Sequence, residues 1–244
     1  MDLELTDRVY IIFGGTRGLG FAVAEALTAE GARVVISGRD ADRLAAAVKA
    51  LGEPQAAGVV ADNADPTGAA RLVAAALDRW ERLDGALISG GGPPLGSVLE
   101  IPDDTWRDSF ESVFLGAVRA ARVVVENLAE DGSIAFVLST SVHVPIPGLD
   151  ISNGLRPGLA MLMRTMAVQL GSRGIRVNAL LPGRITTERT SYVDAGTAAS
   201  KNARIPLGRA GETCEFGRIA AFILSPVASY VSGVMIPVDG GASA

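Results

Sequence analysis

The alternation of short β-branched runs with longer alanine-rich stretches constrains this chain more than any single motif. Val9–Phe13, Arg33–Ser37, Ala57–Ala61, Gly85–Ser89, Ser133–Ser139, Ile175–Leu180 and Val234–Val238 read as strands. Several are apolar almost throughout, as a parallel strand covered on both faces must be. Gly18–Ala29, Ala41–Leu51, Thr67–Glu81, Thr105–Leu128, Arg156–Leu170 and Glu212–Leu224 read as the helices between them. Such alternation, joined by right-handed crossovers, predicts an α/β fold of the doubly wound, Rossmann type. Its seven-stranded, mainly parallel sheet carries helices on both faces.

No Pro/Gly/Ser-rich linker and no repeat divides the 244 residues, so residues 1–244 are expected to form a single domain. A chain that is 48% hydrophobic and 20% charged is not disordered. The net charge of −5 speaks against a nucleic-acid or anionic-membrane partner, either of which wants a basic face. Cys214 is the only cysteine and His143 the only histidine. An internal disulfide, a cysteine metal site and a multi-histidine zinc site are therefore excluded, and no metal is expected. The opening Met-Asp-Leu-Glu-Leu has neither the basic nor the apolar region of a secretory signal, and a cytoplasmic protein is expected. Ile219 to Val238 carries no charge, but Ser225-Pro226, Ser229, Ser232-Gly233 and Pro237 interrupt it. It reads as a buried helix end, a turn and a buried strand rather than a membrane span.

The first strand runs into Gly14-Gly15-Thr16-Arg17-Gly18-Leu19-Gly20 and then a helix. Glycines there let the backbone approach a pyrophosphate, while the helix N-terminus supplies free N–H groups and the positive end of its dipole. The chain resembles the short-chain dehydrogenases/reductases nearly end to end. Their Thr-Gly-x-x-x-Gly-x-Gly motif falls on Phe13, Gly14, Gly18 and Gly20, with Phe13 in place of threonine. Asp62, with Asn63 beside it, matches the acid that holds the adenine amino group. Of the family's Asn-Asn-Ala-Gly segment, the Leu87–Gly92 stretch keeps the apolar lead and a glycine, Gly90 being the expected cofactor contact. Gly174-Ile-Arg-Val-Asn178 with Pro182-Gly183 is a close match, and Ile185 and Thr187 fall where the family contacts the nicotinamide carboxamide. Pro206–Arg209 through Ser232-Gly233 to Val238-Asp-Gly-Gly241 matches closely as well.

Charge near the second strand indicates which dinucleotide is bound. A ribose 2′-hydroxyl wants an acid there, and a 2′-phosphate wants arginine. Counting from the glycine motif lands on Asp40, which favours NAD. The position where NAD-using relatives carry the acid is Gly38, however, with Arg39 next, and Arg17 sits as in NADP-preferring members. NADP(H) is the expected cofactor.

The resemblance fails where the family does its chemistry. Its proton-donating tyrosine, the lysine four residues on and its asparagine fall on Ser152, Arg156 and Val113, while its serine falls on Ser141, or on Ser139 without a gap. None of Tyr10, Tyr192 and Tyr230 has a lysine four residues on. Ser152 is a weak acid by itself. Arg156 can bind ribose hydroxyls and stabilise an alkoxide, but it stays charged and shuttles no proton. His143, two residues past Ser141, and Tyr192, in a region (184–210) where relatives carry a substrate lid, are the other candidate acids. Trp106, Phe110 and Phe114 recur at helical spacing and are expected in the core.

The resemblance implies an NADP(H)-dependent oxidoreductase that moves a hydride to or from a small carbonyl or alcohol with a non-standard proton donor. The alternative is a silent NADP(H)-binding sensor or scaffold. A homo-oligomer, tetramer or dimer, is also implied, packed through helices Thr105–Leu128 and Arg156–Leu170.

Overall fold

The structure, a computed structural model, describes residues 2–188 and 202–244. Its strands are β1 (Val9–Ile12), β2 (Arg33–Gly38), β3 (Ala56–Val60), β4 (Gly85–Ser89), β5 (Ser133–Val137), β6 (Arg176–Pro182) and β7 (Met235–Val238). They form one sheet in the order β3-β2-β1-β4-β5-β6-β7, with every pairing parallel. The described helices are α1 (Gly18–Ala29), α2 (Ala41–Leu51), α3 (Gly68–Trp80), α4 (Asp103–Ser109), α5 (Gly116–Asn127), α6 (Asp150–Leu170) and α7 (Thr213–Leu224).

The side-chain alternation of β1 explains the two-faced core. Val9, Ile11 and Phe13 pack with Leu72, Val73, Val124, Leu159 and Met163 beneath α3, α5 and α6. Tyr10 and Ile12 turn the other way, onto Val23, Leu27, Leu44 and Phe216 from α1, α2 and α7. At the centre, Ile12 pairs with Ile36 of β2 and with Leu87 of β4. Strand order reverses there, which opens a crevice at the carboxyl ends of the strands. The uncharged Ile219–Val238 stretch ends α7, turns through Pro226–Ala228 and finishes as β7. Among the described residues, no helix is long and apolar enough to cross a membrane.

Four expectations are corrected. β5 stops at Val137, because the Ser139 hydroxyl oxygen accepts from the Ser141 N–H and starts a tight turn over Thr140–Val142. Helix α6 begins at Asp150, not Arg156, and carries Pro157 in its interior. The strand expected over Ala57–Ala61 sits at the sheet edge, one residue earlier, and its burial alternates. The long helix expected from Thr105 is α4 and α5 joined by a π-helical turn, Phe110–Leu115. A π turn holds more residues than an α turn, so the aromatic stripe does not keep one face through it. Trp106 and Phe114 are half-buried against α6, at Gly154 and Gly158. Phe110 is exposed and stacks on Phe114 with ring centroids 5.1 Å apart.

Candidate active site

The glycine loop follows β1 directly. Gly14 and Gly18 take φ of +72° and +56°, a region that suits glycine. A Cβ on Gly20 would stand 2.3 Å from the Gly14 carbonyl oxygen, so the loop closes onto α1 only without one. Ser37 of β2 pins it from the side. Its hydroxyl accepts from the Gly14 N–H at 3.1 Å, and its carbonyl accepts from the Gly15 N–H at 3.0 Å. Helix α1 then starts with no side-chain cap from Arg17, which leaves its first N–H groups for an anion. Such a cradle fits a dinucleotide pyrophosphate.

Beside it, Thr16, Arg17, Arg39, Asp40, Ala41, Asp42 and Arg43 line an open cleft of about 550 Å³. The Asp40 carboxylate faces its own helix. It accepts from the Arg43 N–H at 3.0 Å and caps α2. Arg39 is exposed and reaches within 3.7 Å of Asp62, whose other oxygen accepts from the Ala64 N–H. Asn63 donates to the Ser89 carbonyl at 2.8 Å and so fastens the loop after β3 to the end of β4. Gly90 backs onto Val113, in the π-helical turn.

Three of the four candidate catalytic groups come together. Ser141, in the turn after β5, and Ser152, in the first turn of α6, bring their hydroxyl oxygens within 3.5 Å. Arg156, one helical turn past Ser152, donates to the Ser152 oxygen at 2.6 Å and to the Gly91 carbonyl at 2.6 Å. All three are buried, Ser152 to 1% exposure. The serine alignment without a gap is also located: the Ser139 hydroxyl is occupied in holding the Ser141 N–H at 3.1 Å.

His143 is different. It is exposed, and among the described residues its imidazole makes no hydrogen bond or ion pair. Tyr10 lies at the core of the sheet, where it donates to the Leu224 carbonyl, and burial raises its pKa well above the ordinary range. Tyr230 is fully exposed. Tyr192 and residues 189–201 of the expected lid lie outside the described residues.

The segment after β6 returns to the glycine loop. The Gly183 N–H donates to the Val238 carbonyl, and a Cβ on Gly183 would collide with Asp239 at 2.4 Å. Ile185 is buried and bridges to Gly211. The Thr187 methyl carbon would be 3.7 Å from a Cβ on Gly18, so Thr187 borders the cradle. The next residue, Glu188, meets Arg17 at 2.9 Å and Arg43 at 3.4 Å. Sequence reasoning stopped at Arg39 and missed both Arg43 and Glu188. The four-residue spacing of Arg39 and Arg43 around the α2 cap was the available signal for the first.

Residues 14–243 match the family model described as enoyl-(acyl carrier protein) reductase. The chain is 32% identical over 248 residues to the L-rhamnose 1-dehydrogenase (NAD(P)(+)) of Azotobacter vinelandii, with 97% of each chain covered. It is similar to the crystal structure of L-sorbose reductase from Gluconobacter frateurii complexed with NADPH and L-sorbose. That likeness has a TM-score of 0.93 at 28% identity, over 100% of this chain and 99% of the other. It is also similar to a short chain oxidoreductase from Pseudomonas aeruginosa PAO1 described as containing an atypical catalytic center. There the TM-score is 0.90 at 27% identity, over 99% and 98% of the chains. The chain belongs to the short-chain dehydrogenase/reductase family of oxidoreductases.

Proposed function

We propose that the protein is an NADP(H)-dependent oxidoreductase acting on a small carbonyl or alcohol, with Ser141, Ser152 and Arg156 in place of the family's Tyr-Lys machinery. The buried hydrogen-bonded chain from Arg156 through Ser152 to Ser141 carries this reading. Gly14, Thr16, Gly18, Leu19 and Gly20 would cradle the pyrophosphate, and Arg17 and Arg39 the 2′-phosphate. Asp62, Asn63 and Gly90 would border the adenosine side, and Arg156, Pro182, Gly183, Ile185 and Thr187 the nicotinamide side. When bound, the nicotinamide supplies or accepts the hydride.

The chain's own residues handle the oxygen. Arg156 donates into a lone pair of Ser152, which leaves the Ser152 proton to point at Ser141 or at a substrate oxygen. Two hydroxyls backed by a fixed cation stabilise an alkoxide electrostatically. Arg156 keeps its charge, so the proton itself comes from water or from the exposed His143. The structural neighbour with an atypical catalytic center supports a rewired site, and the one complexed with NADPH supports the cofactor.

Exposed Met161, Leu162 and Val168 on α6, with Phe110 beside it, support self-association through this face. The alternative, a silent cofactor-binding sensor, draws on the resemblance, which puts Ser152, Arg156 and Val113 at the family's tyrosine, lysine and asparagine positions. Turnover of NADPH with a panel of small ketones, aldehydes and ketoses separates the two. The enzyme reading expects turnover that Ser152→Ala lowers without loss of NADPH binding. Tight NADPH binding with no turnover on any substrate leaves the sensor.

A further inference from the structure

Arg17, from the glycine loop, and Arg43, from the first turn of α2, converge on one oxygen of Glu188, at 2.9 and 3.4 Å. Two guanidinium groups gathered on one anion also suit a phosphate, whose several oxygens accept from arginine forks. The hydrogen bond from Arg17 holds the Glu188 carboxyl below its ordinary pKa, and the Arg43 charge adds to this. All three side chains are about half exposed and line or border the cleft that Arg39 also enters. The acids on the cleft wall do not compete for these cations. Asp40 caps α2, and neither Asp40 nor Asp42 pairs with Arg17 or Arg43 among the described residues.

We infer that Glu188 is an internal anion standing in for the cofactor's 2′-phosphate, and that Arg43 is a third specificity-determining cation of that site. The inference rests on the NADP(H) reading and deepens it. A phosphate entering the cleft takes over the Arg17–Arg43 pair and pushes the carboxylate away. A cofactor with a free 2′-hydroxyl has nothing to offer the pair and leaves the Glu188 bridge in place. Glu188 therefore weakens binding of the phosphorylated cofactor selectively, and Arg43 strengthens it selectively.

The test is equilibrium binding of NADPH and NADH to the full chain and to Glu188→Gln and Arg43→Gln, at fixed ionic strength. Adenosine 2′,5′-bisphosphate and 5′-AMP serve as probes that need no nicotinamide site. Each exposed ion pair carries only a small free energy, so two of them correspond to about 3- to 20-fold. Glu188→Gln is expected to tighten NADPH and the bisphosphate by that factor, and to change NADH and 5′-AMP less than about twofold. Arg43→Gln is expected to weaken the phosphorylated pair by a similar factor, with Arg43→Lys recovering part of it. Both effects shrink as salt rises. Unchanged or weaker NADPH binding in Glu188→Gln overturns the inference, as does an equal effect of Arg43→Gln on both cofactors. In those cases wild-type selectivity for NADPH still stands and the NADP(H) reading survives. If the wild type binds neither cofactor, the reading and the inference fall together.

Discussion

Arg156 donates to the Ser152 hydroxyl at 2.6 Å from one turn further along the same helix, with both side chains buried. A lysine at this position would have a single ammonium head. Arg156 has a fork, and its second arm holds the Gly91 carbonyl at 2.6 Å. One residue thus orients a hydroxyl and fastens the loop after β4. The two duties separate by mutation. Ser152→Ala is expected to lower kcat by about 100-fold, the low end for a lost proton-handling group, with NADPH affinity unchanged. Arg156→Gln is expected to lower both, because the loop goes with it. Arg156→Lys is not conservative here, since one head cannot fill both positions. Single-turnover rates alongside nucleotide Kd values check this, and full activity in Ser152→Ala would falsify the role given to its hydroxyl.

Gly38 closes β2, and the resemblance puts the acid of NAD-using members at this position. A Cβ there would stand 2.3 Å from the Thr16 methyl carbon, so an acid needs room made for it. The double variant Gly38→Asp with Thr16→Ala puts a carboxylate between Arg17 and Arg39. It is expected to weaken NADPH by roughly tenfold or more and to favour NADH, because the acid repels a 2′-phosphate and accepts from a ribose hydroxyl. Fluorescence titration of both cofactors reads the ratio. A ratio unchanged from the wild type would place the 2′-position elsewhere in the cleft.

The fold was legible because a parallel strand buried on both faces has to be apolar along most of its length, and β1, β4 and β5 are. Local code hid the rest. Pro157 suits the first turn of a helix, so the expected start at Arg156 agrees with local propensity. In the molecule Asn153 bonds both the N–H and the carbonyl of Ile146, which ties down the first turn of α6 and lets the helix run through the proline. That early start is what sets Ser152 and Arg156 one turn apart. The π-helical turn at Phe110–Leu115 has no composition of its own, and it leaves Phe110 exposed while Trp106 and Phe114 stay half-buried. Counting from the glycine motif lands on Asp40, an acid that the expectation of NADP(H) sets aside, and the backbone uses it as the cap of α2. Glu188 pairs with Arg17 across 171 residues, and only tertiary structure reports such a contact.

Arg176 is a buried cation with a structural task. Its guanidinium donates to the Ile223 carbonyl at 2.8 Å and the Ser225 carbonyl at 2.9 Å, at the end of α7. Those carbonyls have no partner within the helix and lie at the negative end of its dipole. Burial lowers the Arg176 pKa, which is the cost of keeping the charge there. Arg176→Met leaves the carbonyls buried and unpaired, and is expected to cost about 3–5 kcal/mol of stability. Denaturant unfolding measures it. A loss under about 1 kcal/mol would mean that water replaces the guanidinium.

Glu215 gives the clearest acid-range dependence. Both its oxygens take hydrogen bonds from Arg209, at 2.7 and 2.8 Å, and one also accepts from the Glu212 N–H at 2.7 Å in the capping box that starts α7. The Arg209 bonds first, then the backbone bond, lower its pKa from 4.5 to about 2. A depressed folded pKa stabilises the fold at pH above the unfolded value, and this contribution is lost as pH falls through the folded value. The contribution is thus complete above pH 4.5 and fades as the pH approaches 2. Glu215→Gln keeps an acceptor for the Glu212 N–H but removes the charge that Arg209 holds. The gap in Tm between wild type and variant is expected to be constant from pH 7 down to about 5 and to narrow steadily below that. Because Glu215 is well exposed, added salt is expected to shrink the gap as well. Thermal unfolding at several pH values tests this directly. A gap that stays constant down to pH 3 would show that the cap geometry, and not the carboxylate charge, is what Glu215 provides.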